Sequence, residues 1–194
     1  MQAARPIRLV VGLGNPSAEH ERDRHNAGFW FLERYAQSVA ASFRKESKYH
    51  GLAAKLGGDV WLLMPQTYMN LSGKSVAALA RFFKIEPAEL LVVHDELDFA
   101  PGTVKLKLGG GVGGHNGLKD IAAQLGDTTF WRLRIGIGHP GDRDLVADYV
   151  LSRPSAADRK LIYETIERGI EIMPLALAGD ITGAMLKLHT KPKV

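Results

Sequence analysis

Two short apolar runs constrain this chain most. Ile7 to Leu13 carries Leu9-Val10-Val11 into a Gly12-Leu13-Gly14 turn, and Leu90 to Val93 runs directly into His94-Asp95-Glu96-Leu97-Asp98. Strands that are apolar at consecutive positions are buried on both faces, and such strands need helices to cover them. Helical spacing follows. In Asn26 to Ala41, Phe29, Leu32, Tyr35, Ala36 and Val39 share a face, and in Asn70 to Lys84, Val76, Leu79, Ala80 and Phe83 point inward. Gly51 to Leu56 and Val60 to Met64 read as strands paired around Gly57-Gly58-Asp59. Gly102 to Leu108 and Phe130 to Gly138 alternate as strands, with a Gly109–Gly114 loop and an Asn116–Leu125 helix between them. Leu161, Ile162, Ile166, Ile170 and Met173 make a last long stripe, on a helix that Gly179 caps. Ile181 to Leu188 is a shorter helix leading into a basic tail over about residues 186–194. No repeat or linker interrupts the pattern. The expectation is one α/β domain over residues 1–194, with a mixed sheet flanked by helices. In such sheets ligands bind beyond the carboxyl ends of strands, where Asn15 and Asp95 fall.

A chain of 194 residues is long enough for one real core. It has no cysteine, which excludes thiol catalysis and a Cys-type zinc site. The N-terminus lacks the apolar run of a signal peptide, and no stretch approaches the roughly 20 apolar residues of a membrane span. A soluble cytoplasmic protein is expected. A net charge of +4 favours an anionic partner.

Several familiar motifs fail. Gly12-x-Gly14-x-x-Ser17 lacks the third glycine of a dinucleotide fingerprint, and Pro16 interrupts the turn. Gly109 to Gly114 is followed by His115-Asn116, not by the Lys-Ser/Thr of a P-loop. Gly73-Lys74-Ser75-Val76-Ala77 lies within a helical pattern, not on the strand-to-helix turn of a nucleophile elbow. What remains is a set of neutral amides and two titratable groups at element edges. Asn15, Asn70 and Asn116 each offer a donor and an acceptor without adding charge, which suits a peptide backbone or an oxyanion. Each is equally explained as a local turn or cap.

His25, in a charged loop just ahead of Asn26, is a candidate general base. Its plainer reading is a surface histidine before a helix cap. Asp95 orients a histidine in one reading of His94–Asp98; in others the cluster binds a hard metal ion or simply turns the chain. Basic residues follow strand parity: Lys105 and Lys107 oppose Val104, Leu106 and Leu108, while Arg132 and Arg134 oppose Leu133 and Ile135. If those strands are neighbours, a phosphate-binding patch borders the glycine loop.

Six segments, in order and spacing from residue 7 to about 152, resemble bacterial peptidyl-tRNA hydrolase. They are Gly12–Pro16, Arg24–Gly28, Pro65–Gly73, His94–Asp98, Gly113–Leu118 and Arg132–Gly141. The resemblance implies a single-domain α/β fold with a mixed, mostly parallel sheet. It also implies a monomeric, cofactor-independent hydrolase that frees tRNA from prematurely released peptides. Position by position, it implies that His25 is the catalytic base and Asp95 its orienting partner. Asn70 and Asn116 hold the peptide backbone and the tRNA 3′ end, Asn15 lines the same cleft, and Tyr68 supplies an aromatic wall where relatives often have Phe. Lys105, Lys107 and Arg134 clamp the tRNA 5′-phosphate, with Arg143 where the family often has lysine. No metal is called for. Two further classes stay open: an RNA-binding module without catalysis, and a metal-dependent phosphodiesterase using His94, Asp95 and Asp98.

Overall fold

The computed structural model describes residues 5–190; the end of the basic tail lies outside these. Seven strands form one sheet in the order β2-β3-β4-β1-β5-β7-β6, where β1 is Leu9–Gly12, β2 Arg44–Glu46, β3 Gly51–Lys55, β4 Trp61–Pro65, β5 Leu90–Glu96, β6 Val104–Leu108 and β7 Trp131–Gly136. The four central strands β4, β1, β5 and β7 are mutually parallel, and β2, β3 and β6 are added antiparallel at the edges. Every residue of β1 is buried. Val10 and Leu91 face one layer, packed under the helices α1 (Ala27–Ser38), α5 (Ala156–Glu171), α6 (Met173–Leu177) and α7 (Ile181–His189). Leu9, Val11 and Val92 face the other, under α2 (Ser72–Phe82) and α3 (Asn116–Leu125). Two-sided burial is why these strands are apolar throughout. The short helix α4, Val146–Val150, stands over the carboxyl end of the sheet.

Several expected boundaries shift. The strand expected to stop at Val93 runs on to Glu96, so His94 and Asp95 are strand residues, paired in register with Arg134 and Ile135 of β7. Polar side chains are tolerated there because this end of β5 opens onto a cleft. Asn70 sits in a 3-10 turn, Met69–Leu71, ahead of α2. Gly179, at φ +87°, follows α6 and not the long α5, which ends at Glu171. Val39, just after α1, and Leu108, the last residue of β6, are exposed. Part of the expected basic tail, through His189, belongs to α7. The three-residue β2 has no apolar alternation to announce it, because it is an edge strand with exposed side chains.

Candidate active site

The turn carrying His25 reaches β5 because two glycines let backbone meet backbone. A Cβ on Gly28, in the first turn of α1, would lie 2.4 Å from Val93 O and 2.5 Å from Leu13 N. A Cβ on Gly12 would lie 2.4 Å from Gly28 O. Only glycine permits this approach, so the 3-10 turn Arg24–Asn26 is held against the ends of β1 and β5. Asn26 reinforces it by binding the backbone of Asn15 twice: its Oδ1 accepts from Asn15 N at 2.7 Å, and its Nδ2 donates to Asn15 O at 2.9 Å.

The result is a buried carboxylate between two imidazoles. Asp95 Oδ2 is 2.8 Å from His25 Nδ1, and Oδ1 is 2.8 Å from His115 Nε2. His115 is the N-cap of α3, a place expected for Asn116, and its Nδ1 accepts from the N–H groups of Gly117 and Leu118 at 3.1 and 3.3 Å. A backbone N–H only donates, so these bonds assign Nδ1 as the unprotonated nitrogen and make Nε2–H the donor to Asp95. With its Nδ1 directed to Asp95, His25 keeps Nε2 without a hydrogen-bond partner among the described residues. His94, fully enclosed, places Nδ1 2.8 Å from the Asp95 carbonyl and meets the His115 ring edge-on at 5.1 Å between centroids.

Burial by itself would raise the Asp95 carboxyl, but His25 and His115 outweigh it by charge and hydrogen bonds and hold the group far below the usual carboxylate range. Burial lowers the His25 imidazole, yet the charge and hydrogen bond of Asp95, with a contribution from Asp23, carry it above its ordinary value. His94 is pushed down to about 3, first by burial and then by His115 and Arg132. The ligand atoms of His25, Asp95 and His115 lie within 4.8 Å of one another, a spacing that also suits a cation. His94 and Asp98 do not join this cluster.

A cleft of about 690 Å³ opens over these residues. Its walls include His25, Asp95, His115 and Asn116, the glycine loop, Lys107, Arg134 and Arg143, and the α4 residues Val146, Ala147 and Val150. Asn15, Tyr68, Asn70 and Lys105 are not on its walls. Tyr68 is 78% exposed, and Asn70 and Asn116 are exposed as well. Yet the segments bearing the three asparagines meet: around Gly117, a Cβ would touch Met69 Sδ, Leu13 Cδ1 and His115 Cε1.

The basic face has a different internal logic from the one its parity suggested. Arg132 turns into the protein and binds the glycine loop, with Nη1 on Gly111 O and Nη2 on Gly110 O and Thr128 O. Arg134 is ion-paired with Glu96. Another cation, Arg24, lies 4.0 Å from the centroid of the Tyr149 ring and donates to Ser152 Oγ at 2.6 Å and Arg153 O at 3.0 Å, tying the end of α4 to the turn that carries His25.

The family model described as peptidyl-tRNA hydrolase matches residues 9–194. Peptidyl-tRNA hydrolase of Polynucleobacter asymbioticus is 58% identical, the match covering 95% of this chain and 98% of that protein. That of Neisseria meningitidis serogroup B is 55% identical, over 95% and 98%. The crystal structure of the Acinetobacter baumannii enzyme superposes with a TM-score of 0.93 at 41% identity, covering 98% of this chain and 97% of that one. On the evidence of the whole chain and of its fold, this protein belongs to the peptidyl-tRNA hydrolase family.

Proposed function

We propose that the chain hydrolyses the ester between a peptide carboxyl and the 3′-terminal ribose of tRNA, recycling tRNA from nascent chains released early. The observation that carries the mechanism is the His25–Asp95 contact, which leaves His25 Nε2 unpartnered in a cleft large enough for a substrate end. His25 Nε2 takes a proton from water, and the water oxygen attacks the ester carbonyl. The tetrahedral intermediate then expels the ribose oxygen, which recovers the proton from the imidazolium. Asp95 fixes the tautomer and stabilises the imidazolium, as a buried carboxylate does in a triad. His115 holds the second Asp95 oxygen and so keeps that carboxylate pointed at His25.

In this reading Asn116, on the cleft wall, binds the tRNA 3′ end or the peptide backbone. Asn15, Tyr68 and Asn70 hold the peptide where the ends of β1 and β4 meet α3, with Asn70 or a backbone N–H receiving the oxyanion. Lys105, Lys107, Arg134 and Arg143 bind tRNA phosphate, a contribution that falls steeply with salt. Neither a metal nor a covalent nucleophile is required. The protein acts in the cytoplasm as a monomer.

The experiment is release of peptide from peptidyl-tRNA by the purified protein, with and without EDTA. Turnover that survives the chelator, and falls by about 10²–10⁴-fold in His25→Ala while tRNA binding persists, is the expected result. Undiminished turnover in His25→Ala removes the base assignment. Absence of ester cleavage leaves an RNA-binding module. The convergence of His25, Asp95 and His115 favours one competing reading, a bound cation. Activity lost to EDTA and restored by a divalent metal would establish it. Lys105→Ala should raise KM for peptidyl-tRNA and spare a short ester mimic.

A further inference from the structure

The Arg134 fork, assigned above to tRNA phosphate, already holds an anion. Its Nε and Nη2 both donate to Glu96 Oε1, at 2.8 and 2.7 Å. Strand register produces the pair: Arg134 lies opposite His94, and Glu96 is two residues further along β5 on the same face. Arg134 is also the cross-strand partner of Lys105 on β6. Both cations stand over the Phe99 ring, at 4.5 Å for Arg134 and 5.1 Å for Lys105. The Arg134 and Glu96 side chains face the cleft and are 20% and 18% exposed, open enough to exchange partners with solvent or ligand. Lys105 has no carboxylate within ion-pair distance among the described residues.

Two cations and one carboxylate leave this spot with a single net positive charge. An anion that takes the fork must first return Glu96 to water. A phosphodiester carries one negative charge, so it replaces the carboxylate with its equal and gains little. A terminal phosphomonoester carries a charge of about −1.5 to −2 near neutral pH and gains the difference. We propose that Glu96 is a competing counter-charge that sets one affinity threshold for every anion at the Arg134 fork. The diesters along an RNA backbone gain too little to clear it, and a terminal phosphomonoester clears it. The proposal rests on the phosphate-binding reading of Lys105 and Arg134.

The test uses an acceptor-stem minihelix esterified to a short peptide, carrying either a 5′-phosphate or a 5′-hydroxyl, and a 5′-hydroxyl RNA duplex as competitor. In Glu96→Gln, KM for the 5′-phosphate substrate should fall roughly threefold to fivefold, the scale of one partly exposed ion pair. Inhibition by the diester-only duplex should strengthen by a similar factor. Glu96→Ala should move both in the same direction. An unchanged or higher KM in both variants, with wild type still preferring the 5′-phosphate form, overturns the proposal and leaves Glu96 as a support for Arg134. If wild type does not distinguish the two ends and Lys105→Ala has no effect, the phosphate-binding reading fails and takes this one with it.

Discussion

His94 makes acid stability measurable at one residue. It is 2% exposed, its imidazole is pushed down to about 3 from an ordinary 6.5, and it touches the network only through the Asp95 carbonyl and the His115 ring. Burial is the main cause, so the charged form belongs to the unfolded chain. The unfolded state therefore binds a proton that the folded state refuses between pH 6.5 and about 3. Stability from this group is intact above 6.5 and is lost as pH falls. Protonation of a free imidazole favours the unfolded state only slightly at pH 7 and by about 2 kcal/mol at pH 5. His25 contributes with the opposite sign, because its folded value is raised. A comparison with His94→Phe cancels that and every other shared group. Urea unfolding at pH 7 and pH 5 should show wild type losing about 2 kcal/mol more than the variant over that interval. Equal losses would mean that the folded protein accepts a proton on His94 as readily as the unfolded chain does.

Three further outcomes follow from the site. The rate should rise with pH through a His25 inflection above 6.5, since the base form is the active one; in Asp95→Asn that inflection should drop below 6.5 along with the rate, and an inflection that stays put would detach Asp95 from His25. Gly28→Ala should destabilise by about 3 kcal/mol or more, because its Cβ would meet three backbone atoms of Leu13 and Val93, and a melting temperature within a degree of wild type would refute the close packing. His115→Ala should cost about 2–4 kcal/mol, the sum of a helix cap and a hydrogen bond to a buried carboxylate, and thermal unfolding measures it; a loss below about 1 kcal/mol would show that only one of the two contacts matters.

The layered core was legible because burial on both faces leaves no polar position in β1, and the β3–β4 hairpin announced itself through Gly57-Gly58-Asp59. The pairing of His25 with Asp95 was open to inference only from their places at element edges and from family likeness. Sixty-nine residues lie between them in the chain, and of the two glycines that bring them together, Gly12 looks in sequence like part of a failed nucleotide motif while Gly28 lies inside a helical pattern. His115 was missed. Asn is the commoner helix cap, so one reading gave that place to Asn116, although an unprotonated imidazole nitrogen is also an acceptor for free amides at a helix start. Strand parity put Arg132 and Arg134 on the correct face but could not show what covers it. The glycine loop claims one and Glu96 the other. The same parity argument cannot reach Asn15, Tyr68 and Asn70, whose relation to the cleft depends on how β1, the 3-10 turn Met69–Leu71 and α3 come together around Gly117.

The cap of α3 has a reach beyond helix stability. The lone pair of His115 that quiets the first amides of α3 belongs to the same ring whose proton steadies Asp95. Fraying of that first turn and loosening of the carboxylate are then one event. The amide protons of Gly117 and Leu118 become silent reporters: their exchange with deuterium counts how often the site falls out of register, in the resting protein and without any substrate present.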